Sequence, residues 1–143
     1  MGITMSNEKI SLSEKGKNLI IHKDQPVKIN YFKPEDKFRS LKDESKCDYI
    51  IELENYKVLF VELKGNKFEK AIHQLENTVL KLKNFYKNLK KCCYVIGRTI
   101  PPSTQTTSIK EKFRKKYNAK LETKTKVCNL KVSNLINCNC KCS

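Results

Sequence analysis

The sequence predicts an α/β domain built on a mixed central sheet, and three observations predict it. Two short apolar runs, 48–53 and 56–64, flank a polar turn at Glu54-Asn55, which is the pattern of a β-hairpin. From Lys67 to Lys90 apolar residues recur at three- and four-residue steps, the period of an amphipathic helix. A wholly apolar run, Cys92 to Ile96, follows. Hairpin, helix and buried strand in succession make a layered α/β arrangement. At 143 residues the chain suffices for one real core but not for two.

The elements follow in order. Residues 1–18 are polar and read as an N-terminal arm, 19–136 as a single domain, and 137–143 as a cysteine-rich tail. Leu19 to His22 and Val27 to Tyr31 are β-prone, and Asp24-Gln25-Pro26 between them reads as a hairpin turn. Phe32 to Ser45 is charged, and Pro34 breaks any strand there, leaving a helical turn or an irregular loop. Gly65 ends the second strand of the 48–64 hairpin. In the helix, Phe68, Ala71, Ile72, Leu75, Val79, Leu82, Phe85, Tyr86 and Leu89 form one buried stripe. Gly97 to Thr107, with Pro101 and Pro102, reads as loop, and Thr107 to Asn118 as a basic helix. Leu121 to Val132 alternates like a last strand.

The net charge of +15 makes a field that attracts polyanions, nucleic acid foremost. A surface that simply uses lysine as its default residue is the plainer alternative. No apolar stretch approaches the roughly 20 residues of a membrane span, and the N-terminus lacks the apolar centre of a secretory signal. A cytoplasmic protein away from the membrane is therefore expected. Seven cysteines, an odd number with Cys92 and Cys93 adjacent, do not suggest a secreted disulfide framework. Four glycines in the chain leave no phosphate-binding loop or dinucleotide fingerprint.

Charges inside the apolar hairpin single out a site. Glu62 and Lys64 project from one side of the second strand, with Val61 and Leu63 on the other. A three-residue loop, Glu54-Asn55-Tyr56, pairs Leu53 with Lys57 and sets Asp48 opposite Glu62. A two-residue loop pairs Asp48 with Val61 instead. The three-residue loop is the better fit, because a one-residue slip turns Asp48 to the wrong face. Two carboxylates on rigid strands suit Mg²⁺ or Mn²⁺, which take oxygen ligands. Such an ion polarises a phosphodiester, and Lys64 beside it would orient the attacking water or stabilise developing charge. An exposed ion pair, worth little, is the plain alternative.

Asp48, then Glu62-Leu63-Lys64, then glycine and a long helix, resembles the PD-(D/E)XK phosphodiesterase superfamily. The helix segment KAIHQLENTV resembles that family's helical glutamine motif, with Gln74 in the expected place. The likeness covers residues 46–99. It implies a restriction-endonuclease-like three-layer core, a mixed central sheet flanked by helices. It also implies a metal-dependent nuclease with Asp48 and Glu62 as metal ligands, Lys64 assisting the attacking water, and Gln74 supporting water or phosphate. Cys47 stands where the family motif carries proline. Many members add a glutamate from a helix ahead of the Asp strand, for which Glu35 and Glu44 are the candidates here.

In SIKEKFRKKYNAK, Lys112, Arg114, Lys115 and Lys116 are candidate contacts to a phosphate backbone, while Phe113 and Tyr117 read as core. Cys138, Cys140 and Cys142 lack common zinc spacing and read as a free tail. The expected partner is nucleic acid, DNA favoured over RNA, and a homodimer would suit cutting of two strands. The competing reading is a non-catalytic nucleic-acid-binding or accessory protein on a degenerate nuclease fold.

Overall fold

The computed structural model describes residues 8–63 and 67–143. These residues form eight strands in two mixed sheets, and four α-helices. In chain order the strands are β1 (Lys9–Glu14), β2 (Lys17–His22), β3 (Ile29–Phe32), β4 (Tyr49–Leu53), β5 (Lys57–Glu62), β6 (Lys90–Gly97), β7 (Ala119–Thr125) and β8 (Val127–Lys131). The helices are α1 (Pro34–Lys37), α2 (Phe68–Lys81), α3 (Ser103–Tyr117) and α4 (Val132–Ile136). The central sheet has the order β3-β4-β5-β6-β7 and the smaller one β1-β2-β8. In the central sheet β3, β4 and β5 run antiparallel, and β6 and β7 continue it in parallel through the crossovers α2 and α3.

Alternation along the strands divides the core in two. Leu59, Val61, Cys92, Tyr94 and Ile96 face the small sheet and α4. Val58, Phe60, Cys93 and Val95 face Ile72, Leu75 and Val79 of α2 and Phe113 of α3. β6 is buried on both faces from Cys92 to Ile96, hence its unbroken apolar run. The expected three layers are present, but helices α2 and α3 cover only one face. A second sheet covers the other, where flanking helices were expected.

That sheet accounts for the other differences. Residues 9–14, read as part of a polar arm, form β1, antiparallel to β2 across Lys15-Gly16. Both turn residues have positive φ, 47° and 79°, as a two-residue hairpin turn requires. The hairpin expected at Asp24-Gln25-Pro26 does not form, because β2 pairs with β1 and β8, and β3 with β4. Asp24 instead accepts the Ser133 N–H at 2.8 Å and the Ser133 hydroxyl, holding the start of α4. The expected last strand is two strands, broken at Lys126 with φ 65°. There the chain passes between sheets: the Lys126 N–H donates to Gly97 and its carbonyl accepts from Asn18.

Two helix bounds also shift. α2 stops at Lys81, nine residues before Lys90, and turns carry the chain onward so that Tyr86 packs against Phe38 and Phe60. Asn84 and Asn88, poor helix formers, fall in these turns. α3 begins at Ser103, four residues early, because the Pro102 carbonyl accepts N–H bonds from Gln105 and Thr106.

The tail is not free. Cys92 is bonded to Cys140 and Cys128 to Cys142, and the Tyr94 hydroxyl donates to the Cys140 carbonyl at 2.7 Å. Cys47 and Cys93 are free and buried, and Cys138 is free and exposed.

A polar knot ties β4 to the turns after α2. Glu52 accepts from the Tyr86 hydroxyl at 2.5 Å and from Lys37 Nζ at 2.8 Å. Burial alone would raise the Glu52 pKa, but these two donors and the Lys37 charge outweigh it and lower the pKa below 4.5. A carboxyl depressed on folding stabilises the fold above its ordinary pKa, and the gain is lost as pH falls through the folded value. Tyr86→Phe is expected to cost about 1.5–3 kcal/mol, the usual range for a hydrogen bond to a charged group. The loss should shrink in urea titrations run below pH 4.5. An equal loss at neutral and acid pH would show that the hydroxyl does not act through this carboxylate.

Candidate active site

The β4–β5 hairpin builds the site. Its loop is Glu54-Asn55-Tyr56, with Glu54 at φ 39°, and Leu53 stands opposite Lys57 and Tyr49 opposite Val61. Continued one step, that register sets Asp48 opposite Glu62, as the three-residue loop predicts. The Asp48 N–H donates to the Val61 carbonyl at 2.9 Å. Its Oδ2 accepts the Leu63 N–H at 2.7 Å. Ile50 and Phe60 face the helices, so Asp48 and Glu62, two residues removed from each, share that face. Glu62 is fully buried and Asp48 half-buried.

α2 is fastened beside them. Thr78 Oγ1 accepts the Cys47 N–H at 2.9 Å and donates to the Gln74 carbonyl at 2.7 Å. Asn77 Nδ2 donates to the Ser45 carbonyl at 2.5 Å. These bonds fix the second turn of α2, and with it Gln74, against the residues that lead into Asp48. Cys47 senses the acids. Burial pushes its thiol up to about 12, with the Glu62 and Asp48 charges acting the same way. It is a packing residue rather than a nucleophile.

Asp48 and Gln74 line a cleft of about 290 Å³ with Glu14, Lys33, Glu35, Glu44 and Lys46. Both proposed extra acids reach it, Glu35 from α1 and Glu44 from the loop after it. The Glu44 carboxylate, however, meets Lys81 Nζ at 3.1 Å. Lys46 Nζ is turned to the Lys42 carbonyl at 2.9 Å. Glu14 was not anticipated. It arrives from the end of β1, and a lone acid in a stretch read as loose arm carries no signal of its destination. Lys64 lies outside the described residues. Among the described residues no three His, Cys, Asp or Glu side chains gather closely enough to hold an ion. The donor set that suits a hard divalent cation is Asp48 with Glu62, since two carboxylates and water satisfy such an ion.

The basic residues of α3 are not at this cleft. Lys112 Nζ meets Glu76 at 3.0 Å, while Arg114 meets Glu111 at 2.6 Å and Lys115 meets it at 3.6 Å. Phe113 is wholly buried, as its core reading requires. Tyr117 donates to Glu76 at 2.7 Å. Lys115 and Lys116 line a different groove, on the other side of α2.

No family model matches the chain, and no curated protein or solved structure does either.

Proposed function

We propose that the protein is a metal-dependent nuclease of the PD-(D/E)XK kind, with a restriction-endonuclease-like arrangement of its central sheet. What carries this reading is the hairpin register that sets Asp48 and Glu62 on one face, with Asp48 and Gln74 lining a cleft and Glu62 buried behind it. Asp48 and Glu62 would hold Mg²⁺ or Mn²⁺. The ion would neutralise phosphate charge and help activate water. Gln74 would orient that water or a phosphate oxygen through its amide. Lys64 would assist the attacking water with its ammonium group. The excess positive charge favours a polyanionic substrate, and DNA is the first choice over RNA. A homodimer would place two clefts on two strands.

No described helix is long and apolar enough to cross a membrane. A cytoplasmic location belongs to the proposal, and there the two disulfides would require the chain to meet an oxidant during or after folding.

The test is incubation with labelled single- and double-stranded DNA and RNA in EDTA, Mg²⁺ or Mn²⁺. Cleavage that requires metal supports the nuclease and names its substrate. Tight, salt-sensitive binding without cleavage under any condition would replace it with a non-catalytic binding or accessory role. The Glu44–Lys81 pair, which engages one of the candidate acids, is the observation that favours that second reading.

A further inference from the structure

We propose that a second groove, on the α3 side of α2, binds the phosphate backbone of a nucleic-acid strand away from the carboxylate cleft. The groove measures about 360 Å³ and is lined by Lys83, Lys87, Lys91, Lys115 and Lys116. Its floor is apolar, from Val79, Leu80 and Tyr117. Three elements supply the lysines: the turns after α2, the start of β6, and the last turn of α3. The inference rests on nucleic acid being the ligand but not on its being cut.

Four of these five lysines have no ion-pair partner among the described residues. Among the described residues no carboxylate lies within ion-pair distance of Lys83, Lys87, Lys91 or Lys116, and Lys115 reaches Glu111 only at 3.6 Å. Lys91 is 8% exposed, yet among the described residues its ammonium donates only to the Leu89 carbonyl, at 3.1 Å. Burial holds the Lys91 pKa down, with Cys93 acting against that shift and the Lys83 charge with it. A nearly buried cation beside others of its sign is relieved by an anion supplied from outside.

The plainer account is the backbone dipole, since α2 and α3 both end beside the groove and cations favour helix C-termini. That explains Lys115 and Lys116. It does not explain Lys87 or Lys91, which lie beyond the last turn of α2, or the burial of Lys91. Ammonium groups spread over three elements are point charges without the fork that selects a carboxylate. They fit a succession of phosphates, while the exposed side chain of Leu80 and the ring of Tyr117 offer contact to a sugar or base. Gln74 and the end of α2 are seven residues apart, about 10 Å along the axis. A strand held here therefore reaches toward the cleft only by passing around α2.

The experiment is fluorescence polarisation of a labelled single-stranded oligonucleotide, in EDTA, across a salt series. The variants are the triple Lys83→Gln, Lys87→Gln, Lys116→Gln and a control triple, Lys9→Gln, Lys28→Gln, Lys131→Gln, on exposed lysines elsewhere. Thermal melting verifies that both fold. The groove triple should lower the salt slope by about two, at about 0.7 per phosphate contact for a single strand. Its affinity should fall at least tenfold further than that of the control. Lys91→Met, which keeps the stem, should weaken binding in the same direction. Equal losses in the two triples would overturn the proposal, leaving only diffuse charge. Cleavage in Mg²⁺ is read separately: groove-dependent binding without cutting sinks the nuclease alone, and cutting with control-like binding sinks the groove alone.

Discussion

Asp48→Asn is expected to lower metal-dependent cleavage by about 10²–10³-fold, the scale for losing one group directed at transition-state charge. The substitution separates chemistry from folding. An amide keeps the size of the carboxylate and one carbonyl oxygen, so it still accepts the Leu63 N–H that Asp48 Oδ2 accepts at 2.7 Å. The backbone bond from Asp48 to Val61 does not involve the side chain. The hairpin register therefore persists, while half the negative charge available to a divalent cation is gone. Raising Mg²⁺ should recover part of the rate if the loss is in metal affinity. Glu62→Gln should be at least as damaging, because Glu62 is fully buried and at the centre of the sheet. The measurements are initial cleavage rate and melting temperature together. Undiminished cutting by Asp48→Asn would remove this carboxylate from the mechanism, and the nuclease reading with it.

The parts of the site that the sequence disclosed are those set by short-range geometry. Asp48 and Glu62 are fourteen residues apart on one hairpin, and strand alternation decides whether they meet. The pairing of Leu53 with Lys57 realises the three-residue loop, which turns both to one face where a two-residue loop would not. Gln74 was legible only through the likeness of KAIHQLENTV to the family's helical glutamine motif, on the helix just after the second strand. Glu14 shows where such reasoning stops. Its arrival depends on β1 pairing with β2, and on β2 pairing in parallel with β8, more than a hundred residues later in the chain. β1 itself buries only Leu12, so its sequence carries almost no apolar alternation. The division between β7 and β8 was equally hidden, because a single lysine with positive φ looks like any other polar residue in an alternating run. The basic stretch of α3 was legible as a charge run, but not which of its cations are paired. That stretch neutralises Glu76 and Glu111 in part, and the lysines without an ion-pair partner gather only when the end of α2 and the start of β6 come beside it. Cysteine pairing is a further long-range property: spacing alone does not choose among the partners of seven cysteines.

Those pairs carry the second large effect. Cys140→Ala is expected to destabilise the oxidised protein by about 4 kcal/mol, from the entropy of releasing a loop of the size that Cys92–Cys140 closes. The sequence separation is 48 residues, against 14 for Cys128–Cys142, for which the same argument gives about 3 kcal/mol. The Cys140 carbonyl can still accept from Tyr94, but alanine removes the Sγ that accepts from the buried Lys57 Nζ at 3.3 Å, which adds to the loss. The reading is a urea titration of wild type and variant, with and without dithiothreitol. The variant should differ strongly from wild type under oxidising conditions, and reductant should bring the two midpoints together. Thiol counting in denaturant without reductant should find three free sulfhydryls, those of Cys47, Cys93 and Cys138. Counting the native protein should find one, because only Cys138 is exposed. Its thiol should also react early: Lys90 Nζ donates to it at 3.1 Å, and this bond and the Lys90 charge lower its pKa. Seven free sulfhydryls in denaturant would mean that the tail is held by packing and by hydrogen bonds such as Tyr94 to the Cys140 carbonyl, without disulfides. Cys140→Ala would then cost only what a small buried side chain and its bond from Lys57 are worth, with no response to reductant. That outcome would agree with a reducing compartment, whereas three would require the chain to meet an oxidant before or during folding.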